Sequence, residues 1–78
     1  MSNGKKQKEH RVQVIFKEVR YVVLEHEGNI TFSRDGAPAG SAKWRNDQIL
    51  DCSALLPDPV ILQMEREIKE AIAADYFD

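Results

Sequence analysis

The stretch RVQVIFKEVRYVVLEHEGNITFSRDG, residues 11–36, decides the fold. Val12, Val14 and Phe16 alternate with Arg11, Gln13 and Lys17. Period-two alternation rich in β-branched residues predicts a half-buried strand. Ile15 breaks the polar side, which suggests that part of the second face is covered too. Alternation resumes with Val19, Tyr21 and Val23, then Val22 and Leu24. A single strand from Arg11 to His26 would be unusually long, so a turn or bulge is expected near Lys17-Glu18. Glu27-Gly28-Asn29 reads as a turn, because Gly and Asn tolerate positive φ. Ile30 and Phe32 alternate with Thr31 and Ser33, and Asp35-Gly36 is a preferred dipeptide of the type I′ hairpin. Strand, turn, strand, turn is a meander.

Beyond residue 36 the pattern thins. Ala37-Pro38-Ala39-Gly40-Ser41 reads as a loop, punctuated by Pro and Gly and lacking any large apolar side chain. Ala42-Lys43-Trp44-Arg45 returns as a strand, and Asn46-Asp47 makes another turn. Gln48–Leu56 is ambiguous and leans to a short helix or turn, with Ile49, Leu50, Ala54 and Leu55 on one helical face. Asp58 then serves as N-cap with Pro59 at the first helical position. Ile61, Met64, Ile68, Ala71 and Ile72 form one apolar stripe, with Glu65–Lys69 and Arg66–Glu70 as outward i,i+4 pairs. Val60, Leu62, Tyr76 and Phe77 are surplus to that stripe, which points to self-association as a homodimer through the C-terminal helix. The expected fold class is α+β: a small antiparallel meander of about three strands packed by one C-terminal amphipathic helix. Residues 1–10 read as a disordered basic arm and residues 11–78 as a single domain.

The bulk numbers narrow the function classes. A chain of 78 residues forms one domain at most, and its own core supplies only ~3–5 kcal/mol of net stability. With one cysteine, Cys52, it has no internal disulfide, and with two histidines, His10 and His26, no structural zinc cluster is expected. No secretory leader or membrane span is legible, so a cytoplasmic protein without a membrane partner is expected. The start at Met1, with no recognisable purification tag, reads as a complete gene product. Charge is split: residues 1–45 hold nine Lys/Arg against five Asp/Glu, and residues 46–78 hold two against eight.

Catalytic chemistry finds little support. Cys52 lies between Asp51 and Ser53, and a neighbouring carboxylate disfavours thiolate. An enzyme would need His26, Cys52 and an acid brought together in space. There is no Gly-x-Ser-x-Gly nucleophile elbow and no phosphate-binding glycine loop. Glu65, Glu67 and Glu70 read as a solvated helix face. No catalytic residue, metal or cofactor is expected.

Binding is the class that remains. Trp44 stands between Lys43 and Arg45 after a small-residue stretch, and Trp and Arg are enriched at binding hot spots. Trp44, Lys43 and Arg45, with Arg34 second, are therefore the expected contact residues for another protein. The chain is read as a small non-catalytic interaction or regulatory module, of the build found in phage or prophage accessory proteins. The alternative is a nucleic-acid binder that uses Lys5, Lys6, Lys8, Arg11, Lys17 and Arg20 on phosphates, with Tyr21, Phe32 and Trp44 as stacking platforms.

Overall fold

The computed structural model describes residues 9–75. Five strands follow one another: β1 (His10–Phe16), β2 (Val19–His26), β3 (Asn29–Arg34), β4 (Ala37–Arg45) and β5 (Gln48–Leu50). One helix, α1 (Asp58–Asp75), closes the order. Every strand pairs antiparallel with its successor, so the sheet order is β1-β2-β3-β4-β5. The α+β meander stands as expected, with five strands in place of about three. Lys5, Lys6 and Lys8 lie outside the described residues, as do Tyr76 and Phe77. The strand starts at His10, the last residue of the expected basic arm and one before the expected start of the domain.

Four two-residue turns set the meander. Lys17-Glu18, Glu27-Gly28, Asp35-Gly36 and Asn46-Asp47 each hold two consecutive residues at positive φ, between 50° and 89°. That is the type I′ requirement, and its twist matches the twist of the flanking strands. Lys17 (φ 52°) and Glu18 (φ 67°) adopt it without the Gly, Asn or Asp that usually makes it cheap.

The extra strands are the segments that read as loop. Because Asp35-Gly36 reverses the chain at once, Ala37 lands opposite Arg34 and the ladder continues. The register shifts between Phe32 and Ser33, which face Gly40 and Pro38, so Ala39 is the additional residue of a bulge. Pro38 is tolerated there because β5 pairs only with Lys43–Arg45. Gly40 (φ +150°) lies so close to Ala54 that a Cβ would sit 2.8 Å from its backbone and side-chain atoms. Beyond β5 the chain turns along the outer side of β4: Ser53 N–H donates to Ser41 O at 2.8 Å, and Ser41 N–H donates to Ser53 Oγ at 3.0 Å. Gln48–Leu56 is therefore a short strand followed by an extended crossing, not a helix.

The core lies between one sheet face and α1. Val12, Val14, Tyr21, Val23, Ile30, Phe32 and Ala42 meet Val60, Met64 and Ile68. The helix begins one residue early: Pro57 O accepts from Ile61 N–H at 3.1 Å, which makes Asp58 the first helical residue. Val60 is fully buried and Ile61 half-buried, so the stripe runs through Val60, Met64, Ile68 and Ile72. Leu62 stays 65% exposed. The expected pair Glu65–Lys69 gives way to other contacts: Glu65 Oε2 accepts from Ile49 N–H at 2.9 Å, and Lys69 Nζ lies 4.0 Å from Asp47. No ion pair joins Arg66 to Glu70 among the described residues. No helix is long and apolar enough to cross a membrane among the described residues.

Candidate functional site

Strand alternation sorts the expected contact residues onto two sides. Lys43 faces Asn29 and Leu50, on the side of the sheet away from α1, and Arg45 faces Gln48 on that same side. Trp44, between them, turns to the helix side, opposite Ile49, and packs half-buried against the core. Arg34 pairs with Tyr21 and so takes the helix-side parity, exposed at the end of β3. The four residues therefore do not form one patch. The aromatics Tyr21 and Phe32 are core residues, 5% and 3% exposed, and offer no stacking platform.

The open face gathers a different set. Arg11, Gln13 and Ile15 of β1 lie beside Leu24, Val22 and Arg20 of β2. Val22 and Leu24 continue to Ser33 and Thr31 on β3, and Thr31 to Ser41 on β4. Its strand charges are Arg11, Arg20, Lys43 and Arg45, with no Asp or Glu among them. Arg11 and Arg20 share a shallow hollow of about 320 Å³, with Val22 and Leu24 in it. A second hollow of about 240 Å³ continues from Val22 and Leu24 to Thr31, Ser33 and Pro38. The carboxylate at this rim, Asp35 in the β3–β4 turn, is engaged by the neighbouring strand β2: Oδ1 accepts from Arg20 N–H at 3.0 Å. Lys43 Nζ donates to Asn29 Oδ1 at 2.9 Å. Lys17 sits in the β1–β2 turn, its ammonium 5.5 Å from the centre of the Phe16 ring, a cation–π distance.

A second cluster joins residues far apart in sequence. His10 Nδ1 lies 2.7 Å from Glu25 Oε1, and His10 Nε2 contacts Asp75 Oδ2. Glu25 is 5% exposed and its other oxygen accepts from Gly28 N–H at 2.9 Å. With a carboxylate oxygen at each ring nitrogen, only the imidazolium donates both hydrogen bonds. Burial is the largest single influence on His10 and lowers its pKa. The hydrogen bonds to Asp75 and Glu25 and their two charges together outweigh it, and the group titrates above its ordinary 6.5. The last turn of α1 carries no Lys or Arg, so His10 supplies the cation that a helix C-terminus favours. The cluster clamps the end of α1 to β1 and β2. One sequence signal could have found it: Glu25 shares the parity of Tyr21 and Val23, and a carboxylate on an apolar face needs a partner.

The enzyme constellation does not assemble. Cys52 is half-buried and its Sγ–H points to Ala54 O at 3.4 Å. His26 lies on the open side, 4.0 Å from Glu27, and no hydrogen bond links it to Cys52.

Comparison with known proteins gives no matching family model, no similar curated protein and no similar solved structure.

Proposed function

We propose that this chain is a non-catalytic interaction module, regulatory or accessory in role, that takes a partner protein on the open face of its sheet. The observation that carries the reading is the make-up of that face. Half-buried Val22 and Leu24 form an apolar centre, and Arg11, Arg20, Lys43 and Arg45 surround it without an opposing strand carboxylate. An apolar centre inside a polar rim with arginine is the usual anatomy of a protein interface. The complementary partner presents an aliphatic anchor flanked by Asp or Glu. Lys43 and Arg45 keep their expected role; Trp44 supports them from the core side. The lone half-buried thiol fits a reducing, cytoplasmic setting.

The test places a photo-crosslinking amino acid at Thr31, on the open face, or at Ala73, on the outside of α1, in nuclease-treated native extract. A discrete protein adduct from position 31 is expected, absent from position 73 and lost in the Arg20→Glu, Lys43→Glu double variant. Equal adducts from both positions, or an adduct indifferent to charge reversal, would sink the reading.

Nucleic acid is the second reading, favoured by the uniform sign of the open-face charges. Four phosphate contacts to a single strand would weaken binding about fiftyfold between 50 and 200 mM salt. Oligonucleotide anisotropy across that range decides it, and removal of residues 1–8 should flatten the slope. A salt-independent or undetectable signal rules it out.

A further inference from the structure

We propose that two copies of this chain pair through the outer edge of β1, forming a continuous sheet across a two-fold axis. The argument starts from the hydrogen-bonding parity of the first hairpin. The two-residue turn Lys17-Glu18 makes Phe16 and Val19 the bonded pair that closes it. Alternation then directs the amides and carbonyls of His10, Val12, Val14 and Phe16 toward β2, and those of Arg11, Gln13 and Ile15 outward. The backbone of β2 agrees. Arg20, opposite Ile15, points its own groups the other way: its N–H donates to Asp35 Oδ1 and its carbonyl accepts from Asp35 N–H at 2.8 Å.

The two edges of the sheet are treated differently. At the far edge β5 is three residues long, and Ile49 N–H is bonded to Glu65. The open remainder of β4 is bridged to Ser53. Short strands and covered edges are the ordinary protections against strand addition. Among the described residues β1 has none of them: it is seven residues long, free of proline and bulge, with Ile15 66% exposed. Beside it runs an open groove of about 610 Å³ between Arg11, Val12 and Gln13 and the α1 residues Arg66, Glu67 and Glu70.

The occupant that fits is a second β1. With the axis at Gln13, Gln13 faces its own copy, and Arg11 faces Ile15 of the other chain. No like charges oppose one another, and the Arg–Ile pairing repeats the Ile15–Arg20 pair already formed within the hairpin. Centring on Arg11 would set two guanidiniums directly opposite. The same axis turns the flank of α1 toward its twin, so Arg66 of one copy meets Glu67 and Glu70 of the other. The lack of like-charge opposition in the strand layer and the opposite charges on the helix flank thus select a second copy. Of the apolar surplus expected to carry self-association through the helix, Val60 belongs to the core, Leu62 stays exposed, and Tyr76 and Phe77 lie outside the described residues; the proposal places the pairing at the strand edge instead. Pairing in the plane of the sheet leaves the open face free and doubles it, so the inference stands or falls separately from the partner reading.

Sedimentation equilibrium of the full chain tests it. The expected mass is twice 8.9 kDa. Gln13→Pro deletes the outward N–H at the axis, a position where an edge strand accepts proline without losing an internal bond. It should raise the dimer dissociation constant by roughly ten- to a hundredfold through two lost hydrogen bonds, with the native circular dichroism retained. Ile15→Lys, at an exposed side chain, places Lys against Arg11 and should also weaken the dimer; it decides the matter if the proline variant fails to fold. A wild-type monomer at every concentration overturns the proposal. So does a dimer that neither substitution weakens, which would place the interface on another surface.

Discussion

The helix-covered face and the open face of the sheet are built from the same strands, one residue out of step. On one side Val12, Val23, Ile30 and Phe32 are nearly inaccessible and packed against Val60, Met64 and Ile68. On the other, Arg11, Gln13, Thr31 and Ser41 face outward around a small aliphatic centre. Neighbouring residues of one strand thus serve different ends. Those of one parity carry stability, and those of the other are free to carry recognition. Trp44 between Lys43 and Arg45 shows the division within three positions.

This contrast can be broken from the covered side first. Met64→Ala opens a void at a fully buried site and should cost about 2–5 kcal/mol in chemical denaturation. A loss under 1 kcal/mol would mean that α1 does not seal the core. The next effect belongs to the polar corner of the same face. His10→Gln should cost about 1–3 kcal/mol, since it removes charge-assisted hydrogen bonds and strips Glu25 of its cation. Its pH signature is specific. A pKa raised on folding stabilises fully below 6.5 and is lost as pH rises through the higher folded-state value. The melting temperature of the wild type should therefore fall over that window relative to His10→Gln, and parallel curves would refute the clamp. On the open face Thr31→Ala should shift stability by no more than about 0.5 kcal/mol, so any lost binding would report contact and not unfolding.

Much of this division is legible in the sequence. Val12, Val14 and Phe16, then Tyr21 and Val23, mark the covered parity because large apolar residues make alternation visible. The same logic fails in β4, where Ala37, Pro38, Ala39 and Gly40 offer no large apolar side chain, and at Gly40 the crossing at Ala54 leaves no room for a Cβ. Small side chains carry no period. β5 is too short to show one, and Ile49 and Leu50 fit a helix equally well. At Lys17-Glu18 the chain turns where strand length predicts it, although the residue types do not announce the turn. In the helix stripe Met64, Ile68 and Ile72 stand as read, and fully buried Val60 takes the first place from half-buried Ile61. For the proposed site, Lys43 and Arg45 stand out in the sequence beside Trp44, whereas the meeting of Arg11 and Arg20 on one face depends on strand register. The clamp at His10 joins groups that no local pattern relates.

That clamp also bears on the order in which the molecule assembles. Each hairpin closes over a two-residue turn, a microsecond-scale and nearly local event. The contact between His10 and Asp75 spans 65 positions and must meet the entropy of closing that whole loop. It can form cheaply only after the meander has brought β1 alongside the helix. The latch is thus a late contact, whose loss speeds opening more than it slows folding.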